Sequence, residues 1–244
     1  MVGTVSELWR YPIVGLQGES MKRARIAETG ISGDRAYQLR DHDGKILGPV
    51  PQSSSPAERS ILGLGASLDE TRGGRVLKIA FEDGVASIEM PGFARMLDSA
   101  VGVPVKLEES STLETRAKRG RAIHVVSNSS LLALKKSYPI GDFDVRRFRP
   151  NIVLDLGRDA EDFAEESWVG GSLNLGDVVL NVERPNERCT VTTLPQGNLR
   201  EDKRILQTII DANDRNLGIM CSVEKGGTIA VGDSVFVAEN RRAD

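Results

Sequence analysis

One cysteine, set between Arg188 and Thr190, is the residue of this 244-residue chain best suited to soft-metal or nucleophile chemistry. A thiol serves either role as its thiolate, and Arg184 and Arg188 supply the positive charge that favours that form. Val178, Leu180 and Val182 alternate with Val179, Asn181 and Glu183, the pattern of a β-strand with a buried face. Pro185 and Asn186 are then expected to break the strand into a turn, delivering Cys189 to its far end where a thiol can face a cavity. The other reading of Cys189 is packing, because free cysteine is among the most buried residue types.

A second group of residues suits anions. Arg146, Arg147 and Arg149 precede Asn151 at the start of a strand, and guanidinium groups on such a rim can grip a phosphate with two parallel hydrogen bonds. The same run also reads as a solvated surface. Ser127 and Ser129 stand at the first turn of a helix, where backbone amides attract negative charge, and they read equally as plain caps. Gly33-Asp34-Arg35 is a turn carrying one more guanidinium.

Composition narrows the chemistry. The chain has two cysteines, Cys189 and Cys221, and two histidines, His42 and His124, without a CxxC pair. Zinc fingers and iron–sulfur clusters need about four such ligands, so neither zinc nor iron–sulfur is expected. Electrons for any redox step would come from a partner. The net charge of -3 makes no general case for nucleic acid or membrane binding. No window approaches the ~20 apolar residues of a membrane span, and Arg10 interrupts a leader without an apolar core. A cytoplasmic protein without a structural disulfide is expected.

The elements that must carry these residues are short strands joined by tight turns. Strands are expected at 2–11, 25–29, 36–40, 45–47, 76–81, 85–90 and 103–107, with Asp43-Gly44 and Asp83-Gly84 as hairpin turns. PVPQSSSP, residues 49–56, reads as an exposed loop, and Gly92 to Ala100 as a helix. The charged stretch 108–121 reads as a crossing between two domains, 1–110 and 116–240. Beyond it come strands at 123–126 and 152–156, a helix after Ser127, an acidic loop between Phe163 and Trp168, the cysteine strand, a helix over 200–213 and a closing hairpin around Gly226-Gly227. Without strand–helix–strand alternation, the pattern points to a mostly β, antiparallel, barrel-like fold with a few short helices.

YPIVGLQGES, GISGDRAYQLRDHDGK, RRFRPNIVLD, FAEESW, ERCTVTT and GGTIAVGDSVFV, in that order and over nearly the whole chain, resemble the MOSC domain with its N-terminal β-barrel partner. This is the family of the mitochondrial amidoxime-reducing component and of the C-terminal domain of molybdenum cofactor sulfurase. The resemblance implies a mostly β fold that binds molybdenum cofactor (molybdopterin), a pterin dithiolene ending in a phosphate. Cys189 corresponds to the metal-binding, catalytic cysteine. Arg35, Arg149, Asn151 and Arg188 would bind the cofactor, as would Ser127 and Ser129, while Asp155 would accept pterin N–H bonds. Two positions depart from the pattern: Val14-Gly15 stands where a lysine near the phosphate is usual, and Glu187 stands where a serine is usual. The implied activity is reduction of a small N-hydroxylated or N-oxide substrate with an external reductase as electron donor. The alternatives are a sulfur carrier using a persulfide on Cys189 and a non-catalytic barrel for another anionic ligand.

Overall fold

Short apolar alternations bounded by glycine turns dictate many brief strands, and the structure contains them. The computed structural model describes residues 1–48, 55–71 and 74–238. The first half holds β1 (Gly3–Arg10), β2 (Glu19–Met21), β3 (Arg23–Ala27), β4 (Gly30–Ile31), β5 (Tyr37–Asp41), β6 (Ile46–Leu47), α1 (Pro56–Ser60), β7 (Gly65–Thr71), β8 (Gly74–Phe81), β9 (Gly84–Ser87), α2 (Phe93–Val101) and β10 (Val105–Glu109). After α3 (Leu113–Lys118) come β11 (Ile123–Ser127), α4 (Asn128–Ser137), β12 (Ile152–Asp155), β13 (Ser172–Leu175), β14 (Val178–Glu187), α5 (Arg204–Asn213), β15 (Asn216–Lys225), β16 (Gly227–Ala230) and β17 (Ser234–Ala238). Strand outweighs helix, 41% against 24%, so the chain is mostly β.

Seven strands close a barrel in the order β12, β11, β15, β14, β13, β17, β1, with β1 pairing back onto β12. Closure removes the unpaired edges of an open sheet. Inward residues fill it: Val5, Leu8, Val125, Leu154, Leu180 and Ile219 are all buried in one core. The first strand therefore completes the sheet built by the second half, and β3 pairs with β16 in the same way. A second core lies within the first half, where β5, β6 and β10 and the meander β7 to β9 pack with α2 around Ile13, Leu39, Ile79 and Leu97. Helices α4 and α5 form a third layer against the barrel through Leu134, Phe148, Ile205 and Ile209. Among the described residues no helix is long and apolar enough to cross a membrane.

Several expectations are corrected. Strand–helix–strand alternation does occur: β11 and β12 pair parallel across α4, with Val125 opposite Ile152 and Ser127 opposite Leu154. Both strands are too short for periodicity to show it. Pro185 does not end β14. It lies inside the strand, opposite Ile219, between two register shifts, and a bulged stretch tolerates a residue without an amide hydrogen. The closing hairpin is absent, because β15 pairs with β14 and β11 while β16 and β17 join other strands. Strand β7 went unpredicted. Residues 49–54 of the expected loop lie outside the described residues, and Ser55 caps α1 through a capping box with Glu58. The acidic loop is a short 3-10 helix, Ala164–Trp168, with Glu165 fully buried.

Candidate functional site

The parallel pair decides which residues can meet. Two parallel strands present their starts at one end of the barrel and their ends at the other. His124 and Arg149 thus share the near end with Cys189, while Ser127 and Asp155 share the far end. Four residues at about 3.3 Å each separate Asn151 from Asp155, roughly 13 Å.

At the near end, half-buried Cys189 opens onto a cleft of about 230 Å³. It sits two residues past β14, where its extended backbone starts a 3-10 turn, Thr190–Thr193. The turn is held from several sides. Thr192 donates its hydroxyl to the Cys189 carbonyl (2.9 Å), and Gln196 Nε2 donates to the Val191 carbonyl (3.1 Å). Arg147, almost fully buried, donates to the carbonyls of Leu194 (3.3 Å) and Arg200 (2.7 Å) and through Nε to that of Asp142 (2.8 Å). Its guanidinium is consumed in bracing the cysteine loop rather than offered to a ligand.

The remaining arginines of the cleft are under-compensated. Arg35, Arg116, Arg149 and Arg188 all line it, and no carboxylate does. Asp34 pairs with Arg35 from behind, its other oxygen accepting the Tyr11 amide (2.8 Å). Arg149 donates to the carbonyl of Leu16 (2.5 Å) and to Gln196 Oε1 (3.2 Å), and Arg188 donates to the carbonyl of Phe148 (2.8 Å). The Nε–H groups of both Arg149 and Arg188 are nonetheless buried without a partner. Buried polar groups are overwhelmingly paired, so two orphans among the residues of one cleft are unusual. Burial, with Arg35 adding to it, holds the Arg149 and Arg188 guanidinium groups down to about 10. Part of the cost is met by Tyr11, whose ring lies 5.0 Å from the Arg35 guanidinium and 5.8 Å from that of Arg149. Arg35 and Arg149 also have positive φ, 50° and 55°, a strained conformation for a long side chain. Such strain persists only where the surrounding structure holds the residue in place.

His124 brings no charge to this company. Burial first, and Arg188 second, push it down to about 3, and its Nε2 hydrogen-bonds to the Leu217 carbonyl at 3.2 Å. Gly218, at φ 75°, makes room for it: a Cβ there would lie 2.7 Å from His124 Nε2 and 2.4 Å from the Val125 carbonyl oxygen.

Of the residues expected at the site, Arg35, Arg149, Arg188 and Cys189 are brought together. Ser127, Ser129, Asn151 and Asp155 do not line the cleft. Ser127 and Ser130 donate their hydroxyls to Glu165 (2.6 and 2.7 Å), Ser129 bonds to Ser127 (2.8 Å), and the Ser127 amide donates to the same carboxylate (3.1 Å). Ser127 also caps α4. The expected anion grip is therefore already occupied by a protein carboxylate. Asn151 is fully buried and bridges β11 to β1, accepting from the His124 amide (3.2 Å) and donating to the Trp9 carbonyl (3.3 Å). Asp155 is exposed and spends an oxygen on Asn128 (2.7 Å). Cys221 is fully buried in the barrel core, and that burial pushes its thiol far up, so it packs and does not react. Both departures noted in the sequence have a local explanation. Glu187 is 72% exposed and faces Arg215 (3.4 Å), away from the cleft. Val14-Gly15 forms a turn, Gly15 at φ 91°, after which the Leu16 carbonyl receives Arg149. Tyr11 and Arg116 were not singled out in the sequence, the first because its role is to stack, the second because its segment read as a linker. A larger cavity of about 600 Å³ beside α2, lined by Phe81, Met90 and Met96, holds no comparable group of chemical side chains.

The model of the MOSC domain matches residues 112–236, and that of the MOSC N-terminal beta barrel domain matches residues 2–52. Mitochondrial amidoxime reducing component 2 of Rattus norvegicus is 25% identical, covering 96% of this chain and 83% of its own length. The protein of the same name from Bos taurus is 24% identical over the same shares. Among solved structures, the YUAD protein of Bacillus subtilis aligns with 99% of this chain and 98% of its own at a TM-score of 0.54 and 13% identity, which shows a shared fold.

Proposed function

Because the chain belongs to the MOSC-domain family, with that family's N-terminal β-barrel partner at its start, we propose that the cleft beside Cys189 holds molybdenum cofactor and that the chain is an oxidoreductase acting on small N-hydroxylated or N-oxide compounds. The observation that carries this reading is the cleft's lining: four arginines besides the loop-bracing Arg147, no carboxylate and one half-buried thiol. A phosphate-bearing dithiolene is the ligand that answers both halves of that lining. The orphaned Nε–H groups of Arg149 and Arg188 fit its oxyanion, and Cys189 fits a soft metal. Among the described residues no three of His, Cys, Asp and Glu gather into a metal cage, so further ligands would come from the dithiolene sulfurs. The cleft volume is below the roughly 300–1,000 Å³ of whole ligand sites, which suits the charged end of a ligand and the side facing the thiol.

When bound, the cofactor would supply two-electron reduction of the N–O group, consuming two electrons from an external reductase and two protons and releasing the oxygen as water; both protons end on oxygen for an N-oxide, and one on each of nitrogen and oxygen for an N-hydroxylated compound. The chain's own part is placement. Arg35, Arg149 and Arg188 bind and orient the anionic end, and Arg147 with Gln196 fixes the loop that aims Cys189. His124, neutral at physiological pH, supports the wall without competing for the anion. The relatives' names, which refer to amidoxime reduction, support N-hydroxylated compounds as the substrate class.

The test is metal and pterin analysis of protein made in a cofactor-competent host. Near one molybdenum per chain in the parent, lost in Cys189→Ala, is the expected result. A metal-free parent overturns the reading, and a sulfur adduct on Cys189 without pterin would put a persulfide carrier in its place.

A further inference from the structure

Arg116 lies on α3, in the segment that the sequence marks only as a crossing between the two halves, yet its side chain lines the same cleft as Arg35, Arg149 and Arg188. Among the described residues its side chain donates one hydrogen bond, from Nη2 to the Arg121 carbonyl, 3.2 Å. Arg116 is half-buried, on a helix that buries none of its own residues fully. A charge drawn even partly out of water beside other charges of the same sign costs free energy unless something of opposite sign answers it. Asp34, the carboxylate that acts on Arg116 electrostatically, is already engaged by Arg35 and by the Tyr11 amide. Burial, and Arg35 after it, holds the Arg116 guanidinium down to about 9, still charged at neutral pH.

We propose that Arg116 is a ligand-binding residue that closes with Arg35 on the oxyanion end of the bound molecule, a terminal phosphate or a comparable dianion, so that the crossing segment forms one wall of the site. This rests on the reading of the cleft as the seat of an anionic cofactor and adds a residue to it from outside the recognised motifs. The crossing is then part of the binding machinery, and ligand binding ties it to both halves.

The experiment uses the full chain from a host unable to make pterin, titrated with inorganic pyrophosphate at fixed ionic strength, with thermal unfolding measured alongside. Arg116→Met is expected to weaken pyrophosphate binding by roughly tenfold or more, the size of one charge-assisted contact. Its ligand-free melting temperature should equal or exceed the parent's, because an uncompensated cation has been removed. Arg116→Lys should recover part of the affinity. Unchanged affinity in Arg116→Met overturns the proposal, as does a lowered ligand-free melting temperature, which would make the Arg121 contact structural. A parent chain that binds no pyrophosphate overturns it as well. Absence of molybdenum from the native protein would sink the cofactor reading alone and leave the pyrophosphate result standing.

Discussion

The Ser127 cluster and the Cys189 cleft occupy opposite ends of the same parallel strand pair, and both bury polar groups. In the first, one carboxylate, Glu165, accepts from two hydroxyls and an amide, and the cluster is closed. In the second, guanidinium groups converge on a lining that holds no carboxylate, with Asp34 pairing Arg35 from outside that lining, and two Nε–H groups stay unpaired. The first is saturated within the fold, and the second keeps unspent donors that the proposed ligand would answer. Burial of polar side chains is common to both, so it is the unpaired remainder that distinguishes them.

The sharpest way to break this contrast is to open the closed cluster. Glu165→Ala strips the acceptor from the Ser127 amide and from two serine hydroxyls at once. Each buried donor left alone costs about 1–3 kcal/mol, so a loss of about 3 kcal/mol or more is expected in chemical denaturation. Pyrophosphate affinity should stay within about twofold, as for sites without shared partners. A parallel fall in affinity would mean that the two ends are one unit.

The reverse substitution probes the open end. Arg188→Met keeps the stem that packs on Phe148, whose ring lies 5.9 Å from the guanidinium, but removes the charge. Affinity for pyrophosphate should fall by roughly tenfold or more, while stability changes by less than about 1 kcal/mol because a lost hydrogen bond and a relieved burial penalty offset each other. A large stability loss with intact binding would place Arg188 with Glu165 as scaffold.

Acid titration distinguishes the regions in another way. His124 is neutral in the fold down to about 3 but takes up a proton near 6.5 when unfolded. The unfolded state therefore binds more protons between these values, and stability is lost as pH falls through that window. The slope reaches at most about 1.4 kcal/mol per pH unit for one proton. Thermal unfolding of His124→Gln against pH should show a shallower acid limb than the parent.

Much of the fold was legible because it rests on local signals. Alternation and Asp-Gly turns announced β5 with β6 and β8 with β9, and Ser127 was visible as a cap of α4. What escaped depends on pairing at a distance. The parallel register of β11 and β12 is set by closure of the barrel onto β1, which no local pattern records. Because of it Ser127 and Asp155 move to the far end while Arg149 stays near Cys189. Pro185 read as a stop because a proline inside a strand is normally excluded, and the bulges that admit it arise from the pairing with β15. Arg116 was hidden by its composition: a charged stretch carries no sign of which one of its residues turns inward.

The smallest effect expected is at Glu187, one of the two positions where the sequence departs from the family pattern. Its pair with Arg215 has both partners well exposed, 72% and 49%, at 3.4 Å. Such a pair contributes about 0–1 kcal/mol, and less as salt rises. Glu187→Ser should therefore leave stability within about 0.5 kcal/mol of the parent. It should also leave pyrophosphate affinity within about twofold at 0.15 M salt, because an exposed charge paired with Arg215 and turned to solvent is screened by water and salt. A clear gain in affinity in Glu187→Ser would show that this carboxylate reaches the arginines, and would move Glu187 from the outer wall into the site.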